Sequence, residues 1–238
     1  DGVAFVSGNS VSAEGDHLWS VSSTDAAGNT ASQSRSFSID LTAPVITFTG
    51  VTPGEYRNTP VTPVVAIAEP HPGSVSALLD GQPYTLGTPV SSDGTHTLAV
   101  AAVDLAGNLG QAEITFTIAT QPPVITITGV TQGATVHGPV TLSFTVSGTQ
   151  PITATATLDG APFTSGASVS AEGPHTLAVS SVDAAGNHAS ATLSFTIDTI
   201  PPVITVGGIT EGALYGQGVN PTFGASDLHL TAVSANLD

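Results

Sequence analysis

The chain has 238 residues, with two basic side chains, Arg35 and Arg57, against 18 acids, a formal charge of −16 and no Cys, Met or Lys. A binder of phosphates needs a basic footprint, so this balance excludes nucleic acid and anionic lipid as partners. No apolar run approaches the roughly 20 residues of a bilayer-crossing helix, so no membrane insertion is expected in this segment.

The 40% of apolar residues alternate with Thr and Ser and are punctuated by 26 Gly and 17 Pro, a composition suited to short strands and many turns. The chain opens on Asp1-Gly2, and that pair returns at Asp80-Gly81 and Asp159-Gly160, with Asp238 closing the series at a constant spacing of 79 residues. The same offset relates Gly15-Asp16-His17 to Gly94-Thr95-His96 and Gly173-Pro174-His175. It also relates Asp25-Ala26-Ala27-Gly28-Asn29 to Asp104-Leu105-Ala106-Gly107-Asn108 and Asp183-Ala184-Ala185-Gly186-Asn187. Within the copy 42–120, alternation predicts strands over 45–51, 61–68, 74–79, 82–86, 95–103 and 110–118, which makes an antiparallel sandwich. Period-2 counting puts Leu98, Val100 and Ala102 on an inner face, matched by Trp19, Val21 and Ser23 in the first copy and by Leu177, Val179 and Ser181 in the third. Phe116 with Ile118, Phe37 with Ile39 and Phe195 with Ile197 line the inner face of each last strand, and all are expected in cores. The Asp-Gly pairs, followed by Phe5, Tyr84 or Phe163, read as tight hairpin turns in which Gly supplies positive φ and the aromatic pins the register.

The final strand of each copy runs into a short Pro-bearing linker at 40–44, 119–123 and 198–202. The expected division is therefore a C-terminal half repeat at 1–41, complete immunoglobulin-like repeats at 42–120 and 121–199, and an N-terminal half repeat at 200–238, joined end to end as a rod. The two halves lack complementary strands, and residues 2–41 and 200–238 together make up one 79-residue repeat. The expected partners are accordingly neighbouring repeats of the same chain or head-to-tail copies in a filament.

His17, His96 and His175 share a strand face with nearby Asp25, Asp104 and Asp183. A histidine at a strand end, repeated every 79 residues without a pocket-forming insertion, reads as structural, so no catalytic residues are assigned and no enzyme is expected. The Asp-x-Ala-Gly-Asn loop has a structural reading as an Asx-type turn and a functional one as part of a metal site. Strand tracing brings Asp40 towards Glu69 and Asp104. The equivalents one repeat later are Ala119, Gly148 and Asp183, whereas the following set restores Asp198 and Asp227, with Asp25 representing the loop acid of a further copy. Acids that are present or lost together behave as ligands of one hard cation, because gathered carboxylates otherwise repel. Oxygen donors favour Ca²⁺, expected at these interdomain junctions. Glu14, Asp16 and Glu172 add outer negative charge.

The run Asp25-Ala-Ala-Gly-Asn29 followed by Phe37-Ser-Ile-Asp40-Leu-Thr-Ala-Pro44 resembles the bacterial immunoglobulin-like repeats of giant secreted surface adhesins. That resemblance covers each of the three periods and implies an all-β fold of tandem antiparallel sandwiches, an extracellular or bacterial cell-surface location, calcium at junctions and a spacer role with no indicated adhesion target. Leu41 stands where the family pattern has Thr, and Ala119 stands where it has Asp, which puts cation binding at 119–123 in doubt. The implied function is the stalk of a large adhesin or the shaft of an extracellular filament. The alternative is an accessory glycan- or protein-binding module of a larger secreted protein, although one Trp and three Tyr equip the chain poorly for an aromatic platform.

Overall fold

Thr-, Val- and Ala-rich stretches punctuated by Gly and Pro give a chain whose regular elements, among the described residues, are strands throughout. The computed structural model describes residues 4–237, so Asp1-Gly2 and Asp238 of the repeated Asp-Gly series lie outside the described residues. By contacts the chain divides into one unit of Asp1–Gln121 with Ala184–Gly186 and a second of Pro122–Asp183 with Asn187–Asp238.

In the first unit, residues 42–120 form two facing sheets. Val45–Thr49 pairs antiparallel with Val64–Ala68. The second sheet has five strands in the order Tyr56–Arg57, Leu109–Ile118, Gly94–Asp104, Pro72–Leu79 and Gln82–Pro83. Leu98, Val100, Ile114, Phe116 and Ile118 of the larger sheet are buried against Val51 and Val61, with Ile46, Phe48 and Val65 of the smaller sheet packed over them. The Asp80-Gly81 turn has positive φ at both residues, 52° and 77°, the conformation that matches a two-residue hairpin to strand twist, and Tyr84 N–H then donates to the Ala77 carbonyl at 2.9 Å. Residues 122–183 and 187–199 of the second unit repeat the plan, with Leu142, Val169, Leu177, Val179, Leu193, Phe195 and Ile197 as the buried cluster. This is the all-β immunoglobulin-like sandwich.

Several elements differ from the sequence reading, among them the strand expected over 82–86, which is confined to Gln82–Pro83. The stretch expected as a strand over 61–68 begins regular pairing only at Val64, because Pro60 and Pro63 cannot donate to a ladder, and Val61 makes an isolated bridge to Val90. The two-residue strand Tyr56–Arg57, parallel to the end of Leu109–Ile118, is too short to leave an alternation pattern.

The largest correction concerns the first half repeat. Gly15–Thr24 and Thr30–Ile39 form an antiparallel hairpin in the expected register, with Trp19 opposite Arg35 and His17 opposite Phe37. Trp19, Val21 and Phe37, expected in a core, are nevertheless 44%, 46% and 41% exposed, whereas their counterparts Leu98, Val100 and Phe116 are at most 2% exposed. The apolar face is present, and no second sheet covers it among the described residues.

Candidate functional site

Each Asp-x-Ala-Gly-Asn loop is a self-closed turn. Asp104 Oδ1 accepts the Asn108 backbone N–H at 2.8 Å and Oδ2 accepts Asn108 Nδ2 at 2.7 Å, with Gly107 at a φ of 95°. Burial raises the Asp104 pKa, but the bonds from Asn108 outweigh it and hold the carboxyl below its usual range. Asp25 is bound in the same way by Asn29, at 2.8 Å to each oxygen, and its pKa is lowered chiefly by the Asn29 side chain. Both loop acids thus spend their oxygens on their own turns.

The linker before the 42–120 module is held from both sides. Behind it, Thr42 Oγ1 donates to Glu14 Oε1 at 2.6 Å. Ahead of it, Asn108 Nδ2 donates to the Asp40 carbonyl at 2.9 Å and His71 Nδ1 donates to Asp40 Oδ2 at 3.0 Å. Thr42 also donates its backbone N–H to Asp40 Oδ1 at 3.1 Å. In the second unit, Thr199 N–H and Oγ1 donate to Glu172 Oε2 at 3.0 and 2.7 Å, and His229 Nδ1 donates to Asp198 Oδ2 at 2.6 Å. The bond from His229 holds the Asp198 carboxyl below its ordinary pKa. Glu14 and Glu172 therefore act as acceptors for the linker threonines, and at the first linker, where Leu41 replaces Thr, Thr42 makes the bond instead.

Of the sequence-predicted cation ligands, the structure brings Asp40 together with Glu69, and Asp198 together with Asp227. The third member of each group is a histidine, so the sets are Asp40, Glu69 and His71, and Asp198, Asp227 and His229, each with donor atoms within 4.8 Å of one another. Asp104 is not brought into the first set. His71 N–H donates to Glu69 Oε1 at 2.8 Å and His229 N–H to Asp227 Oδ1 at 2.7 Å, which fixes each acid-x-His corner. The sequence signal for these histidines is the same offset that exposed the acids, since His71 and His229 are two repeats apart and Gln150 stands between them. The paired carboxylates fit a hard divalent cation, and the imidazole adds a nitrogen donor that such a cation does not need.

A second constellation is repeated inside the complete modules. His96 is 6% exposed; its Nδ1 donates to Asp80 Oδ2 at 2.7 Å and its Nε2 to the Ser92 carbonyl at 2.8 Å, while the ring lies 5.7 Å from that of Phe116. His175 repeats this with Asp159 and the Ala171 carbonyl, at 2.7 and 2.8 Å. Two acceptors on one ring require both nitrogens to carry protons, which is the cationic imidazolium. Burial lowers the His96 pKa, but the Asp80 carboxylate and Ser92 carbonyl more than reverse this, and the net direction is upward. The direction for His175 is the same, and Asp80 and Asp159 move down. The histidines therefore stabilise the fold below the unfolded His pKa of about 6.5 and lose that contribution as pH rises through their higher folded values. The aspartates contribute above about 3.8 and lose it as pH falls through their lower folded values. Thermal melts across pH should place the widest stability margin between about pH 4 and 6.5. In the double variant His96→Gln, His175→Gln, the decline on the alkaline side should be absent; an identical decline in the variant would remove this assignment.

Residues 119–199 match the family model of the bacterial Ig-like domain. No curated protein matches the chain. Among solved structures, the fibronectin(III)-like modules of Clostridium thermocellum CbhA align at 15% identity and a TM-score of 0.35, over 64% of this chain and 94% of theirs. The N-terminal eight Ig domains of Down Syndrome Cell Adhesion Molecule align at 15% identity and 0.30, over 81% of this chain, which spans 32% of that structure. A 1.5-MDa bacterial ice-binding adhesin aligns at 18% identity and 0.32, over 72% of this chain and 71% of its own.

Proposed function

We propose that this chain, whose residues 119–199 are a bacterial Ig-like domain, is a non-catalytic extracellular structural segment, the stalk of a large surface adhesin or the shaft of a filament. The observation that carries this reading is the linker bonded on both sides, Thr42 to Glu14 of one module and Asp40 to Asn108 and His71 of the next. A flexible tether between independent binding modules needs no such bonds, whereas a spacer that keeps its length under load does. Neighbouring repeats of the same chain are the natural partners of these surfaces.

Ca²⁺ is the cation proposed for the junctions. Asp40 with Glu69, and Asp198 with Asp227, would supply carboxylate oxygens, and bound calcium would supply a positive charge that ties the linker acid to the following module. Titrating calcium into the chelated chain should raise the melting temperature and narrow the spread of interdomain angles seen by electron microscopy. At a hundredfold excess over Kd the gain is about 2.7 kcal/mol per site. Asp40→Ala should abolish the response of the first junction, and His71→Ala should preserve it. Indifference to calcium in both measurements would remove calcium from the reading. A zinc response lost with His71→Ala would assign the sites to a borderline cation instead.

A further inference from the structure

In an Asp-Gly pair the glycine nitrogen can attack the aspartyl carboxyl before it with little hindrance, because glycine sets no side chain beside that nitrogen. Among the described residues the pair occurs at 80–81, 93–94 and 159–160. Two of the three are locked. Asp80 and Asp159 each hold a φ of 52° in a two-residue turn. Asp80 N–H donates to the Thr97 carbonyl at 2.9 Å, while its Oδ1 accepts the Thr97 N–H at 2.8 Å and its Oδ2 accepts His96 Nδ1 at 2.7 Å. Asp159 repeats all three bonds, to Thr176 at 3.0 and 2.7 Å and to His175 at 2.7 Å. The carboxyl must be protonated before one of its oxygens can leave as water. Burial alone would favour protonation at Asp80, but the His96 side chain and the Thr97 N–H outweigh it and keep the carboxyl ionised to lower pH, and the same holds at Asp159.

Asp93-Gly94 is held differently. Asp93 is exposed, in a bend just ahead of the strand Gly94–Asp104, and its carboxylate is bound by a neutral residue. Thr120 donates its backbone N–H to Oδ1 at 3.1 Å and its Oγ1 hydroxyl to Oδ2 at 2.9 Å. Thr120 is itself exposed, in the linker at 119–123. Gly94 has a φ of 139°, and nothing lies within 4 Å of where a Cβ would stand, so the space beside the attacking nitrogen is open. The same position in the other copies is Glu14 before Gly15 and Glu172 before Gly173, and these glutamates bind the linker threonines Thr42 and Thr199. A glutamyl side chain makes the same clamp, but to cyclise it must close a larger ring, which is far slower. Of these three linker clamps, the one at Asp93 is built on a residue that cyclises readily.

We propose that Asp93-Gly94 is a site of spontaneous covalent ageing, which passes through a succinimide to isoaspartate and releases the clamp on Thr120. The Gly94 nitrogen bonds to Asp93 Cγ, and its proton leaves with the carboxyl hydroxyl as water. Water then adds to the imide. Opening at the bond between the nitrogen and Cγ restores aspartate, whereas opening at the bond to the Asp93 backbone carbonyl leaves the main chain running through Cβ and Cγ, which is isoaspartate. The water lost in the first step is regained in the second, and no oxidant or reductant takes part. The product has a main chain one methylene longer and a carboxylate one methylene closer to it. From there the carboxylate no longer spans to both Thr120 donors, so the linker loses its tie to the start of the Gly94–Asp104 strand. The added methylene also follows directly on Ser92, whose carbonyl accepts His96 Nε2 at 2.8 Å, which carries the change to the buried histidine. Glu14 and Glu172 keep the equivalent ties at the other two linkers.

The test is to hold the full chain for weeks at neutral pH and body temperature, digest it, and read the peptides by electron-transfer mass spectrometry, which separates isoaspartyl from aspartyl forms of equal mass. Isoaspartate should accumulate at position 93 and stay several-fold lower at 80 and 159. Hydrogen exchange at the Thr120 amide, which Asp93 Oδ1 protects in the fresh chain, should accelerate in the isomerised fraction. The Thr199 amide, bonded to Glu172, should exchange at its original rate. Asp93→Glu should abolish the modification and keep the Thr120 amide protected over the same period. Thr120→Val, an exposed change outside the core, should raise isoaspartate at 93 several-fold and leave position 80 as it was. The proposal would be overturned by an unmodified position 93, by equal amounts at 80, 93 and 159, or by a Thr120→Val rate no higher than that of the parent chain. An unchanged Thr120 exchange rate in chains isomerised at 93 would likewise overturn the release of the clamp.

Discussion

Replacing Phe116 with Ala is expected to destabilise the 42–120 module by about 3–5 kcal/mol, the range for emptying an aromatic site in a close-packed core. Phe116 is 0% exposed and sits opposite His96 in the ladder, with the imidazole 5.7 Å from its ring, so truncation removes both core packing and the surface against which the His96 and Asp80 pair is laid. Domains of this size are stable by roughly 5–15 kcal/mol, so the loss consumes a large part of the margin. Phe195, the counterpart in 121–199, belongs to a separate buried cluster. Calorimetry should therefore show one transition moving to much lower temperature while that of 121–199 stays. Phe37→Ala, at a position 41% exposed in the 15–39 hairpin, should leave both transitions in place. Equal effects of the two substitutions would mean that the hairpin face is covered in solution.

The contrast between Phe116 and Phe37 marks where sequence reading stops. Period-2 alternation identifies the apolar face of a strand, and it did so for all three copies, but it does not say whether a second sheet lies over that face. For Trp19, Val21 and Phe37 alternation alone points to a core, and the structure leaves them 41–46% exposed. The Asp80-Gly81 turn and the bounds of Gly94–Asp104 and Leu109–Ile118 were legible because local backbone chemistry decides them. At the junction, tracing strand directions was enough to place Asp40 near Glu69. The partner of Asp104 depends instead on a competition that spacing cannot rank, and Asn108, four residues away and bonded to both carboxylate oxygens, wins it. His71 follows the same offset as the acids, since Gln150 replaces it where they are lost, but a pattern of carboxylates alone does not contain it.

Gly129→Ala should cost the 121–199 module about 2–5 kcal/mol, the sum expected of a left-handed backbone forced on an L side chain and of overpacking against a fixed neighbour. Gly129 has a φ of 120°, and a Cβ there would lie 2.2 Å from the Thr141 carbonyl oxygen, a backbone atom that cannot swing aside. The repeat places a glycine at the same point in each copy. At Gly50 and Gly208, with φ of 83° and 78°, an added Cβ would meet the Thr62 and Asn220 carbonyls at 2.9 and 2.1 Å. Each lies just beyond the strand that carries the covering sheet, and at Gly129 the residue after the contacted carbonyl is Leu142, 0% exposed at the centre of the core. The close approach therefore sets how the covering sheet is seated on the hairpin face. Gly133→Ala is the reference for a positive φ without the clash, because its φ of 76° lies beside the left-handed helical region and nothing lies within 4 Å of the added methyl. That variant should lose only about 1 kcal/mol. If calorimetry gave Gly129→Ala and Gly133→Ala the same small loss, the carbonyl contact would carry no weight, and the seating of the covering sheet would have to come from side-chain packing alone.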